Sequence, residues 1–304
     1  MFFKCKGSGG AVVTIDGVEV EDDLALSSGV MDVSVSTLPC EFYRGSAVVK
    51  DNEIHLLGGY NSTMSHYKYN GSSWTSVSSL PYEYYFGYAV VFNDEIHILG
   101  SLYTVNLGGN YSYKHATKHY KFDGTSWTSV STIPYNFYGG GAVVHENELH
   151  LLGSSATVDS RKYHYKYNGT SWTSVSTLPY AFYSGDTVVF DDEIHVLGGT
   201  DNETKHYKYN GTSWISVSTL PYKFYRGSAV LKDNEIHILG GDASSSCYKC
   251  HYKFDGTSWT SVSTLPYNFY QGGAAVHQDT INLLGSSDSN GKTKHYAINQ
   301  TYYY

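Results

Sequence analysis

The prolines of this chain fall on a grid. All six (Pro39, Pro81, Pro134, Pro179, Pro221 and Pro266) follow a Leu or Ile, at intervals of 42, 53, 45, 42 and 45 residues. A period of this length marks a repeat architecture, in which one unit cannot bury its apolar face alone and must stack on its neighbours. Each unit runs Leu-Pro-x-x-Phe/Tyr-Tyr-x-Gly, then Ala-Val-Val or a close variant. Glu-Ile-His-x-Leu-Gly, His-Tyr-x-Tyr/Phe and Gly-x-Ser-Trp-x-Ser-Val-Ser follow.

Four short β-rich runs separated by turn signals make up a unit. In the fourth unit they are 186–190, 193–197, 206–209 and 214–218. Asn-Gly or Asp-Gly pairs at 70–71, 123–124, 168–169, 210–211 and 255–256 separate the third and fourth runs, and favour the positive φ of tight hairpins. Short acidic turns such as 50–53 join the first and second. No helical periodicity is seen, and with 31 Gly, 31 Tyr and only 16% charged residues the composition is poor in helix formers. Six four-stranded antiparallel units repeated radially predict an all-β, six-bladed β-propeller over residues 29–304. The last unit holds only three runs before the chain ends, and the missing one stands at the other end as 33–37, just before Leu38-Pro39. The expectation is a ring closed by an N-terminal strand that completes the last blade. Asp32 takes the slot held elsewhere by Trp74, Trp127, Trp172, Trp214 and Trp259, so that blade is expected to close less tightly.

The run Glu53-Ile54-His55-Leu56-Leu57-Gly58-Gly59, with a Trp some 15 residues later and Leu-Pro just beyond, resembles the kelch repeat. The resemblance recurs six times over residues 32–298 and implies the same propeller. There are departures. An aromatic residue, Phe42, Tyr84, Phe137, Phe182, Phe224 or Phe269, stands where kelch repeats often carry Arg, and His replaces the usual Tyr of the second strand. The second glycine becomes Ser101, Ser154 and Ser286 in three blades. The near-identity of the units is also similar to kelch-repeat proteins of phages and prophages of gut Gram-positive bacteria. Kelch folds host enzymes and binding proteins alike, so the fold assigns no activity.

A net charge of −8 argues against a nucleic-acid partner, and no apolar run approaches the roughly 20 residues of a membrane-spanning helix. No signal-peptide core is read at the start of the chain, so the expected location is a phage particle or the cytoplasm. Fourteen histidines invite a metal, but eleven recur once per blade, before Tyr or after Glu-Ile/Leu. Such residues are expected to be blade parts, and neither a metal nor another cofactor is predicted. The run Cys247-Tyr248-Lys249-Cys250-His251 matches a haem-attachment pattern, yet His251 is the ordinary repeat histidine; the pair is read as coincidental in a mostly reduced protein. Asp123-Gly124-Thr125-Ser126-Trp127 resembles the Asp-box of sialidases with altered spacing, but no acid/base pair stands out for glycoside hydrolysis.

Binding is read from where the repeats disagree. The loops joining strands two and three differ from blade to blade, whereas the turns of the opposite face barely change. Five residues after each Pro stand Arg44, Phe86, Gly139, Ser184, Arg226 and Gln271, and two further on Ser46, Tyr88, Gly141, Asp186, Ser228 and Gly273. Both sets are expected around the channel mouth. The longest loop adds Tyr103, Tyr111 and Tyr113. With Arg161, these nominate Arg44, Phe86, Tyr88, Tyr103, Tyr111, Tyr113, Arg161, Asp186, Arg226 and Gln271 as ligand contacts. Residues 1–28, with a hairpin read over 12–20, are expected to dock the ring onto other virion proteins. The function expected is non-catalytic recognition of a bacterial surface glycan or protein. A sialidase-like enzyme using Arg44, Arg161 and Arg226 and an intracellular kelch adaptor are the alternatives.

Overall fold

The computed structural model describes residues 32–107, 110–114, 116–199, 204–241 and 247–298, together with the strands Val13–Ile15 and Val18–Val20. Those two strands, residues 32–33 and the hairpin between 103 and 114 are described by backbone alone. The molecule is a six-bladed β-propeller. Blade one comprises Ser46–Lys50, Glu53–Leu57, His66–Tyr69 and Trp74–Ser76, from the channel outwards, each antiparallel to the next. Blades two to five repeat it with innermost strands Tyr88–Phe92, Gly141–His145, Asp186–Phe190 and Ser228–Lys232. The outermost strand is shorter than its sequence pattern predicts: in blade four it ends at Ser216. Among the described residues no α-helix occurs, only a single 3-10 turn at Ser160–Lys162.

Ring closure follows the sequence expectation. Blade six takes Gly273–His277, Thr280–Leu284 and Lys294–Ile298 from the end of the chain and Asp32–Thr37 from its beginning. Asp32 pairs with Ile298 where Trp74 pairs with Tyr69 in blade one, and the register shifts between His295 and Tyr296. The shift falls opposite residues 34–36, away from Asp32, and the closing strand runs six residues against three in blade one.

Turn chemistry sets the geometry of each blade. The innermost and second strands are joined by two-residue turns whose residues both have positive φ, such as Asp51 at 52° and Asn52 at 57°, the type that matches strand twist. In the outer hairpins an Asx side chain caps the turn. Asp123 Oδ1 accepts from the backbone N–H of Thr125 and of Ser126, both at 2.8 Å, and Asn70, Asn168, Asn210 and Asp255 do the same. The Asp-box-like motif is therefore a turn device.

The core is divided among the blade interfaces. Six apolar clusters each draw on two neighbouring blades, and the cluster of Leu38, Phe42, Ile54, Leu56, Tyr69, Ala275 and Leu284 seals blade six to blade one. The first glycine of the double-glycine segment fixes how close two blades come. At Gly100, with φ +60°, an added Cβ would lie 1.9 Å from the carbonyl oxygen of Phe137 in the next blade. Where the second glycine is replaced, the serine is fully buried and closes the same corner with its hydroxyl. Ser101 Oγ accepts from Tyr85 N–H at 3.0 Å and donates to Glu83 O at 2.8 Å.

Candidate functional site

Ser46 pairs with Leu57 and Leu57 with His66, so the start of each innermost strand lies at the same end of the ring as the variable loop between strands two and three. At that end the six residues found five after each Pro form a closed belt of main chain. Phe86 N–H donates to Arg44 O, Gly139 to Phe86, Ser184 to Gly139, Arg226 to Ser184, Gln271 to Arg226, and Arg44 back to Gln271, all within 2.6–2.8 Å. Every member is left-handed, with φ between 56° and 62°. A left-handed non-glycine residue costs roughly 1–2 kcal/mol. Only blade three uses glycine, so five blades keep a side chain at a position where glycine would be cheaper. Strain of this kind points to function when the surroundings enforce it.

Beneath the belt, a cavity of about 500 Å³ is lined by the start of all six innermost strands, including Arg44, Phe86, Tyr88, Asp186, Arg226 and Gln271. Six of the ten nominated residues thus converge on one space. Tyr88, of blade two, reaches past blade three and donates its hydroxyl to Asp186 Oδ1 of blade four at 2.5 Å. Blade three offers Gly141 at this level, where an added Cβ would come within 2.4 Å of Thr187. Asp186 also accepts from Thr187 N–H at 2.8 Å and from Ala229 N–H at 2.6 Å. Burial raises its pKa to about 6 against the lowering by these three donors. Both carboxylate oxygens are occupied, and the bridge crosses a cavity that continues past it to Val49, Val91, Val144 and Val189. Asp186 is also the sole Asp or Glu among the described residues that line the cavity.

Above this bridge the wall is asymmetric. Arg226, Gln271 and Arg44 stand in consecutive blades and make one arc. Phe86 and Gly139 occupy the opposite side with Ser184. The Arg44 guanidinium lies over the rings of Tyr85 and Phe86, 5.5 and 5.0 Å from their centroids, and donates to the Tyr85 hydroxyl. Its Nε is buried and has no hydrogen-bond partner, and the same holds for Nε2 of Gln271, whose side chain is buried. Outside the rim, Tyr43 stacks on the exposed Tyr60 at 5.0 Å, and Tyr60 meets Tyr85 at 5.9 Å.

The remaining nominated residues lie elsewhere. Arg161 sits on the 3-10 turn of blade three over the Tyr183 ring, 4.5 Å from its centroid, and is not among the residues that line the cavity. Tyr103, Tyr111 and Tyr113 fall in the blade-two segment expected to be a loop. Its backbone instead forms a hairpin, Tyr103–Leu107 against Asn110–Lys114, on the mouth side; their side chains lie outside the described residues. Most of residues 1–28 is likewise outside them, although strands Val13–Ile15 and Val18–Val20 pair as the predicted hairpin.

The recurrent histidines are structural, in a way the sequence does not reveal. His55 Nδ1 meets His66 Nε2 at 2.8 Å across strands two and three, and His97–His119, His150–His164, His195–His206 and His237–His251 repeat the pair. In blade six Asn282 replaces the first histidine and bonds to His295. The third-strand histidine packs edge-on against aromatic residues of the next blade, as His66 does on Phe122 and Trp127. Burial lowers the pKa of the second-strand members to about 4 and of their partners to about 3. Away from the mouth, His145, Glu146 and Asp192 cluster, but His145 Nε2 already bonds to Asp192 O of the neighbouring blade at 2.8 Å. The reading of Cys247 and Cys250 as coincidental is corrected. They form a disulfide that pins the start of the third strand of blade five, and Tyr248 between them packs on Tyr270 at 5.2 Å.

No known family model matches the chain, and no curated protein matches it in sequence. Among solved structures, one described as "Structure of YjhT" is similar to it with a TM-score of 0.72. The similarity covers 87% of this chain and 95% of that one, at 13% sequence identity. The likeness is one of fold. With 454 solved chains similar in shape, it selects no activity. No helix among the described residues is long and apolar enough to cross a membrane.

Proposed function

We propose that this propeller is a non-catalytic recognition module of kelch type, which takes its ligand at the channel mouth and on the variable loops around it. The observation that carries this is the belt. One main-chain conformation is kept in all six blades while the side chain it presents is Arg, Phe, Gly, Ser, Arg or Gln. A rigid scaffold that holds unlike side chains around a concavity is how binding faces are commonly built. A bacterial surface glycan or protein is the proposed ligand, and a phage particle the proposed setting, with residues 1–28 as the docking segment. The sequence resemblance to phage and prophage kelch-repeat proteins supports that setting.

The second reading, a carbohydrate-active enzyme, is favoured by one observation, the Asp186 carboxyl with its raised pKa in the cavity. Glycoside hydrolysis generally needs a pair of carboxyl groups about 5–10 Å apart. Here the single lining carboxylate has both oxygens engaged. The test is retention of the intact protein on bacterial cells and arrayed glycans, beside a variant in which residues 101–117 are shortened. Retention by the intact protein, its loss in the variant, and no change in the glycan are expected. Turnover of an acidic glycan would replace this reading with the enzyme. Equal retention by both forms would place recognition away from the blade-two hairpin.

A further inference from the structure

We infer that the mouth holds a carboxylate subsite for an acidic sugar of uronic-acid type, received by Arg44 and Gln271. This rests on the recognition reading above and names the ligand class for the same site. Arg44 and Gln271 are adjacent members of the belt, joined by the 2.7 Å bond from Arg44 N–H to Gln271 O. Each carries a buried nitrogen donor with no partner: Nε of Arg44 and Nε2 of Gln271. Gln271 is 8% exposed and lines the cavity. Buried donors are nearly always satisfied in folded proteins, so adjacent orphans at the wall of an open cavity mark where an acceptor belongs. Arg226 on the far side of Gln271 makes the arc cationic, in a chain whose net charge is −8.

The rest of the wall narrows the ligand to a sugar. A cavity of about 500 Å³ suits a ligand of one to a few rings. The Phe86 ring lies under the Arg44 guanidinium and steadies it at the mouth. The hydroxyl of Ser184 can exchange hydrogen bonds with ring hydroxyls, and that of Ser228, which donates to Gly272 O at 3.2 Å, can accept one. An extended acidic peptide would use the same cations but would lie across the rim, without filling the cavity beneath them.

The test is calorimetric titration of the full chain with glucuronate, glucuronate methyl ester, glucose and an oligo-aspartate peptide, in low and high salt. Glucuronate is expected to bind, and the ester and glucose to bind roughly 10- to 100-fold more weakly, as expected for loss of a charge-assisted contact. Gln271→Glu, which sets a carboxylate against the ligand's own, is expected to lose glucuronate binding by a similar factor while melting as the parent does. Arg44→Gln is the second variant. Equal binding of glucuronate and glucose would overturn the subsite and leave the recognition face standing. The same holds if no sugar binds although the protein is retained on cells. Preference for the peptide would overturn the sugar assignment. No sugar binding together with no retention on any surface would remove both readings.

Discussion

Acid should unfold this protein well above the pH at which its carboxylates protonate, because of the buried histidine pairs. In the folded ring their pKa values are held at about 4 and about 3, whereas an unfolded chain returns them to about 6.5. A histidine whose folded pKa is depressed contributes stability above pH 6.5 and loses it as pH falls towards the folded value. The window is therefore pH 6.5 down to about 4, and each such group loses about 1.4 kcal/mol per pH unit within it. Within a folded pair, a proton on one member repels a proton on the other, which holds the third-strand histidine at the lower value. Both members of each of the five pairs, together with His295, take up a proton in the unfolded chain, which gives a slope of about 15 kcal/mol per pH unit. Asp186 opposes it by a single proton, since its folded pKa of about 6 lies above that of a free carboxylate. Against a total stability of about 5–15 kcal/mol, the ring should unfold cooperatively with a midpoint between about pH 5.5 and 6.5. Tryptophan fluorescence and near-ultraviolet circular dichroism, followed from pH 8 to 3, read the transition. A native signal that persists through pH 4, or a transition as shallow as one proton, would refute the reasoning.

Three further outcomes follow from the packing. Gly100→Ala should destabilise by about 3 kcal/mol or more in urea unfolding, because the new Cβ meets the Phe137 carbonyl; Gly211→Ala, with nothing within 4 Å, should cost only about 1 kcal/mol. Asp32→Trp, which restores the residue used by five blades, should stabilise by about 1 kcal/mol and raise the melting temperature by roughly 2 °C in calorimetry. Tyr88→Phe should cost about 1–3 kcal/mol by leaving a buried carboxylate oxygen one donor short. It should also raise the Asp186 pKa above about 6, read by carboxyl carbon chemical shift against pH.

The blade count, the ring closure and the end of the ring where the variable loops meet the innermost strands are legible in the sequence because they depend on spacing. The missing Trp at Asp32 is visible without any structure, but it does not foretell the register shift, which lies between His295 and Tyr296. What escapes is what depends on register or on distance across the ring. His97 and His119 are 22 residues apart and become partners only when strands two and three align. Tyr88 and Asp186 are separated by 98 residues and meet because blade three offers Gly141 in the way. Nothing in the character of Phe86 or Arg226 signals a left-handed backbone; only Gly139 in the equivalent slot hints at it. Arg161 shares only its residue type with Arg44 and Arg226, and type does not fix location.

The belt at the mouth has a practical consequence. Its six bonds run between main-chain atoms, so the six side chains it displays are mounted like bits in a chuck: each can be exchanged without loosening the grip. Exchange among Arg, Phe, Ser and Gln is already sampled within this one molecule, on backbones that differ by only a few degrees in φ. A library that varies positions 44, 86, 184, 226 and 271 would therefore change what the mouth holds while the ring that carries it stays the same.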